Sequence, residues 1–188
     1  MKERILEAAE KVFSEKGFYD AKISKIAEIA GVSVGTIYRF YKSKEELYGE
    51  VIKKKLVEME NRVKKAIENK PPVEALSAYV STILDFFSEE KNFFEIFMRE
   101  LGSSFIIDTE RFNLSLWYRD YVNELSGIIE KGVKDGIFKN YSPQGVFLLI
   151  SGALASINYF RLKEFISLRS EEVKKLILDV VLEGLIKK

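Results

Sequence analysis

Apolar residues recur at intervals of three and four along almost the whole chain, and no stretch sustains a two-residue alternation, so the pattern predicts helices and no sheet. Ile5, Ala8, Ala9, Val12 and Phe13 form the inward stripe of a first helix that stops at Gly17, where glycine provides a left-handed C-cap. Ser24 is placed to cap a second helix running to Ala30, with Ile26, Ala27 and Ala30 turned inward and Gly31 ending it. Ser33 is placed to cap a third, from Val34 to about Tyr41. Only Gly31, Val32 and Ser33 then separate two short helices, which is helix-turn-helix spacing.

A fourth helix opens on Ser43-Lys44-Glu45-Glu46, a Ser-x-x-Glu capping box, and its apolar stripe runs through Ile52, Leu56, Met59 and Val63 to about Asn69, before Pro71 and Pro72. Five further helices are expected at about 72–88, 90–101, 105–135, 143–165 and 170–187. Their breaks fall at Gly102-Ser103-Ser104, at Gly136, at Ser142-Pro143 and at Ser170-Glu171-Glu172. The expected fold is all-α: a three-helix head with a helix-turn-helix, residues 1–48, joined by a long helix to a helical-bundle body for ligand binding and dimerisation, residues 49–188. The weakly polar run from Gly145 to Phe160 is shorter than a bilayer span and is interrupted by Ser151, Ser156 and Asn158, so it reads as a buried helix.

Composition narrows the function classes. The chain has no cysteine and no histidine, so disulfides, thiolate chemistry, the usual structural zinc sites and the commonest general base are all missing. No catalytic residue, metal site or cofactor is expected. The charged, amphipathic start from Met1 to Lys16 has no apolar secretory core, which makes the cytoplasm the expected compartment, with no membrane partner. A single glutamine with abundant Lys, Glu and Ile fits a heat-adapted composition.

Net charge is only +1, but it is unevenly placed: Lys16, Lys22, Lys25, Arg39, Lys42 and Lys44 face only Asp20 and Glu28 between positions 16 and 44. Lys44 is the most informative of these. A cation in a helix's first turn opposes the dipole, whereas a phosphate at that N-terminus would gain from the ammonium and the free N–H groups together. Thr36, Tyr38, Arg39, Tyr41 and Lys42 add hydroxyl, guanidinium and ammonium donors on the third helix and the turn after it. Arg39 suits guanine edges, Thr36 a thymine methyl or a phosphate, and Gly35 lets backbone approach closely. Phe40 is expected in the core.

Residues 3–48 resemble the DNA-binding head of the TetR family of regulators, through Ile5-Leu6-Glu7-Ala8-Ala9, Phe13, Lys16-Gly17-Phe18, Ile26-Ala27, Ala30-Gly31-Val32-Ser33, Gly35-Thr36-Ile37-Tyr38 and Tyr41-Lys42-Ser43-Lys44-Glu45-Glu46-Leu47. The resemblance implies that the helix from Val34 is the recognition helix, that Tyr38 and Lys44 contact phosphate, and that Lys22, Ser24 and Lys25 touch the DNA backbone. With Ser33, Val34, Gly35, Thr36, Arg39 and Tyr41 these make up the expected DNA-binding set. Phe40 stands where the family often has His or Tyr, which removes a phosphate contact; Tyr41 stands where Phe is usual, and either restores a donor or fills the core. Ile128 to Phe138, followed by a helix rich in small residues, resembles the family's later region. The family's last two helices form a dimer bundle, which implies close approach at Gly152, Ala153, Ala155 and Ser156, with apolar surface from Leu176, Ile177, Val180 and Val181.

The body is dense in aromatic residues, most of them core. A subset with polar company, Phe97, Glu100, Trp117, Tyr121, Asn158 and Arg161, is the expected lining of a largely apolar effector pocket. The expected function is a homodimeric, ligand-responsive regulator of double-stranded operator DNA, a repressor released by a small apolar or aromatic effector. The alternative is a DNA-associated adaptor whose body binds another protein. A helical enzyme using paired carboxylates such as Glu95 and Glu100 is disfavoured by the missing histidine and the lack of an ordered nucleophile.

Overall fold

The computed structural model describes residues 1–102, 108–109 and 112–187. In chain order these form α1 (Lys2–Asp20), α2 (Ile23–Ala30), α3 (Val34–Phe40), α4 (Lys44–Ile67), α5 (Pro72–Glu89), α6 (Lys91–Gly102), the strand pair β1 (Asp108–Thr109) and β2 (Phe112–Asn113), then α7 (Leu114–Lys134), α8 (Pro143–Leu162) and α9 (Ser170–Leu185). Among the described residues the fold is all-α apart from that antiparallel pair of two-residue strands. The chain divides into two compact units, Met1–Glu58 with Glu90–Trp117, and Met59–Glu89 with Tyr118–Lys188.

In the first unit the expected stripes are buried: Ile5, Ala8, Ala9, Val12 and Phe13 on α1, and Ile26, Ala27 and Ala30 on α2. The regular helix does stop at Gly17, as expected, but at φ 73° and ψ 175° rather than in a left-handed helical cap, and after this kink a further helical turn, counted within α1, runs to Asp20. Ser24 is not the cap of α2. Lys22 occupies the cap position in an extended conformation and makes no side-chain cap bond, so α2 starts two residues earlier than expected. Ser33 does cap α3, accepting from the Thr36 amide, and Ser43 Oγ accepts from the Glu46 amide at 3.2 Å. The reciprocal arm of that box reaches one residue further back than expected, since the Glu46 carboxylate accepts from the Lys42 amide at 2.6 Å.

Ion pairs tie α4 to α1 and to the start of α6. Glu3 pairs with Lys54, Lys2 with Glu50 at 3.5 Å, and Lys55 lies 2.6 Å from Glu90, 3.9 Å from Glu10 and 3.7 Å from Glu58. The outer pairs are solvent-screened and contribute little to stability. Lys55 is different, with a side chain only 12% exposed. Burial pulls its pKa down, but the Glu90 hydrogen bond and the neighbouring carboxylates hold it above the ordinary lysine value. Glu10 is raised, because burial outweighs the attraction of Lys55 and Glu90 adds repulsion.

In the second unit α5 packs against α8 and α9. The expected helix at 105–135 begins instead at Leu114: Asn113 Oδ1 accepts from the Leu116 amide at 2.7 Å, a local cap, and residues 108–109 and 112–113 are strand. Positions 105–107 and 110–111 of that expected helix lie outside the described residues. At its other end Gly136 turns left-handed, at φ 74°, and the amides of Ile137 and Phe138 both donate to the Gly132 carbonyl at 2.9 Å. Phe138 is thereby folded onto Gly132 and fully buried; a Cβ at Gly132 would lie 2.0 Å from the ring.

The expectation of a buried helix at Gly145–Phe160 needs correction. Val146, Phe147, Ile150, Leu154 and Asn158 face the unit's interior, whereas Leu148 is 64% and Leu149 74% exposed. Pro143 adds to its length, Ser142 caps it, and among the described residues α8 is the one helix long and apolar enough to cross a membrane.

A carboxyl whose folded pKa is raised favours folding when protonated and opposes it when ionised. Glu10→Gln is therefore expected to match or exceed the wild-type melting temperature at pH 7, with the difference closing as the pH falls toward about 4, the ordinary glutamate value. Thermal unfolding across that range checks it; a variant clearly less stable at pH 7 would show that the 3.9 Å pairing with Lys55 outweighs burial.

Candidate nucleic-acid interface

The reading surface is built on α3, a helix of 7 residues held by few inward groups. Ile37 is buried, and α3 ends at Phe40 so that extended Tyr41 turns its ring inward, beneath the Lys2 ammonium 5.7 Å away. The opposite side is left outside: Val34 is 39% and Tyr38 49% exposed, with Gly35 and Arg39 beside them. Ser33 Oγ takes the Thr36 amide at 3.1 Å and lies 2.9 Å from Thr36 Oγ1, so the two hydroxyls form one polar edge at the start of the helix. A Cβ at Gly35 would meet only Ser33 Oγ, at 3.8 Å; nothing inside the chain requires a glycine there.

Ten of the eleven expected DNA-binding residues are thus exposed or half-buried, and Tyr41 is the exception. Its side chain fills the core, resolving the alternative left by its sequence position, and it offers no surface donor. Phe40 also departs from expectation. It is 38% exposed at the end of α3, because the core place falls to Tyr41.

Lys22, Ser24 and Lys25 line the exposed start of α2, where Lys25 pairs with Glu28 at 2.6 Å. Lys44 has its own partners. Its ammonium donates to the Tyr19 carbonyl at 3.0 Å and lies 4.7 Å from the centre of the Phe18 ring. The unfavourable first-turn cation is therefore compensated within the chain, by the carbonyl end of α1 and an aromatic face. An ammonium carries three donors, so one bond to Tyr19 leaves capacity for an anion.

The six expected pocket residues are divided between the units. In the first, Phe97 packs on Phe93, Trp117 is nearly buried, and Glu100 accepts from the Tyr48 hydroxyl at 2.6 Å. In the second, Tyr121 lies against Tyr79, Tyr118 and Phe147; Asn158 donates to its own helix at Leu154; Arg161 bonds Ser88 and Ser170 at 3.4 and 2.9 Å. Burial raises the Tyr121 phenol well above its ordinary pKa, so it stays a neutral donor and acceptor.

A groove of about 870 Å³ runs between α8 and α9, lined by residues that include Leu149, Ala153, Ile157, Leu176, Ile177, Val180 and Val181. It contains the four apolar residues expected at a dimer contact and none of the six pocket residues. Of the four small residues expected to allow close approach, Ala153 lines it; Gly152 and Ser156 are exposed and Ala155 is half-buried, and these three do not line it. The i, i+4 row on α8 facing α9 is 145, 149, 153 and 157.

The model of bacterial regulatory proteins of the tetR family matches residues 5–51. A fatty acid metabolism regulator protein of Bacillus subtilis (strain 168) is 31% identical over 137 residues, 72% of this chain and 70% of its own length. The chain belongs to the TetR family. As a TetR-family transcriptional regulator it is not an enzyme, and its helix-turn-helix head is the family's DNA-binding element. Among solved structures, a candidate fatty acid metabolism regulator of Clostridium perfringens superposes with a TM-score of 0.85 at 26% identity, covering 98% of this chain and 100% of its own. The regulator FadR of Bacillus subtilis, solved in complex with stearoyl-CoA, superposes with a TM-score of 0.83 at 24% identity, covering 98% and 99%, a likeness of fold.

In this TetR head, sequence reasoning missed two supports. Arg4 reaches from α1 to the Ala30 carbonyl at 2.5 Å, and Tyr19 supplies the carbonyl that holds Lys44. Neither leaves a periodic signal, since one is a lone surface-type cation and the other acts through its backbone. We expect Lys44→Ala to weaken binding to every duplex and to reduce the salt slope by about one ion, and Arg39→Ala to narrow discrimination between sequences by about 1–3 kcal/mol. Titration across salt and sequence checks both. An unchanged slope would confine Lys44 to the Tyr19 contact.

Proposed function

We propose that this chain is a homodimeric, cytoplasmic repressor that holds a near-palindromic operator and is released by a fatty acyl thioester or a closely related, largely apolar effector. The observation that carries the reading is the 31% identity to a fatty acid metabolism regulator across 70% of that protein, with the exposed face of α3 in place to read DNA. The complex of the structurally similar FadR with stearoyl-CoA supports the effector class.

Two recognition helices must enter successive major grooves about 34–36 Å apart, which a dimer provides and a monomer does not. The α8–α9 groove supports that assembly. Its outer rim carries Leu149 at 74%, Leu176 at 53% and Val180 at 64% exposure, apolar surface that two copies would bury in a four-helix bundle. An effector can loosen the operator only through its unequal affinity for the two forms of the protein, so operator and effector must oppose each other reciprocally.

Val180→Glu is expected to shift the chain to monomer in sedimentation and to lower operator affinity at least tenfold. A stable Val180→Glu dimer would remove this face from the proposal. Selection from random duplex DNA should enrich a near-palindrome, and stearoyl-CoA should release it whereas coenzyme A alone should not. If no duplex is enriched, the repressor reading fails; if the enriched duplex stays bound in the presence of long-chain acyl-CoA and of free stearate, the effector class is wrong.

A further inference from the structure

The last described side chains of α6, Arg99 and Glu100, both end on the helix-turn-helix unit. Arg99 donates from Nη1 to the Phe13 carbonyl at 3.0 Å. That carbonyl lies in the last regular turn of α1, just before the Gly17 break, where carbonyls lack helical donors and a cation is favoured. Glu100 is 4% exposed, and its Oε1 accepts from the hydroxyl of Tyr48, itself 2% exposed, at 2.6 Å.

Tyr48 is in turn the centre of an aromatic cluster. Its ring meets Phe13 edge-on at 4.7 Å and Phe18 at 5.0 Å, and Phe18 carries the Lys44 ammonium 4.7 Å from its centre. A contiguous path therefore runs from the end of α6, through Glu100, Tyr48 and Phe18, to Lys44 and the Tyr19 carbonyl at the exposed tip of α1. Stability alone does not account for a carboxylate at its root. Apolar residues of similar volume commonly replace a buried polar pair at no loss, whereas a directional bond fixes one register between elements.

We propose that the Glu100–Tyr48 hydrogen bond, with Arg99 on Phe13, is a positioning clasp: it sets α1 and α4 against α6 in the register that operator binding requires, without touching DNA. The proposal rests on the reading of this unit as the DNA-binding head. It makes Glu100 a positioning residue and takes it out of the effector pocket.

Three variants separate register from stability. Tyr48→Phe should bind the selected duplex about five- to tenfold more weakly, with an unchanged salt slope, because no phosphate contact is lost. Glu100→Gln, which keeps an acceptor for Tyr48, should stay within about twofold of wild type. Tyr48→Phe/Glu100→Leu, in which neither polar group remains buried without its partner, should recover the wild-type melting temperature and still bind the duplex weakly. Amide exchange at Phe18 to Asp20 in the DNA-free protein should be faster in Tyr48→Phe and in the double variant. The clasp is overturned if the double variant regains affinity together with its melting temperature, or if Tyr48→Phe binds and exchanges like wild type. Were no duplex enriched, the repressor reading would fail, and the exchange measurement would still decide the clasp.

Discussion

Gly31 adopts φ 63° and ψ 42°, and the direction in which α3 leaves α2 is set there. Its own amide donates to Glu28 and that of Val32 to Ala27, while Arg4 takes the Ala30 carbonyl from across the head. Three of the carbonyls that end α2 are thereby satisfied in a link of only three residues. A side chain at Gly31 would strain the backbone and set its Cβ 2.8 Å from Arg4 Nη2. With the link fixed, burial of Ile37 and Tyr41 determines which side of α3 is left to face outward. The exposure of Val34, Gly35, Tyr38 and Arg39 follows from that turn rather than from any preference of those side chains for solvent.

Around this turn the head uses charged groups mainly as registers between helices. Lys44, Arg4 and Arg99 each reach a backbone carbonyl near the end of a neighbouring helix segment, where the dipole favours a cation, and Lys55 gathers three carboxylates from α1, α4 and the start of α6. Such contacts are directional, so they fix spacing where apolar packing would tolerate sliding. For a unit whose output is the placement of a short helix in a groove, that trade is reasonable: a shift of about one residue along α3, roughly 1.5 Å, changes which donor meets which base.

The helical fold was legible because its signals are local. The three-residue link, the Ser33 and Ser43 caps, the Ser142-Pro143 start and the Gly136 stop are all written in adjacent residues. What misled were choices decided by tertiary contacts. Phe40 and Tyr41 are adjacent aromatics, and only the place where α3 ends decides which turns inward. Glu100 bonds Tyr48, 52 positions away in sequence, a contact that no local pattern announces. On α8 the small residues 152, 153, 155 and 156 mark where a helix can approach closely, but side-chain size does not reveal that Ala153 is the one lining the groove; that follows from how Phe147, Ile150 and Leu154 bury the opposite side.

The two-sided character of α8 bears on what covers it. A helix that crosses lipid is apolar all round, and α8 passes that test by length and composition. Its inner row, however, is already packed within its own unit, and the outer row continues onto α9 through Leu176 and Val180 as one groove. α9 also carries Glu171, Glu172, Lys174 and Lys175 at its start, and Lys174 is engaged with Asp85 of α5 at 3.0 Å. A lipid phase would have to accept those charges beside the groove, while a second copy of the same pair of helices could cover the apolar strip and leave them at a polar rim. The apolar excess that makes α8 resemble a membrane span therefore supports the proposed symmetric bundle, and this is why the dimer belongs with operator reading in one proposal.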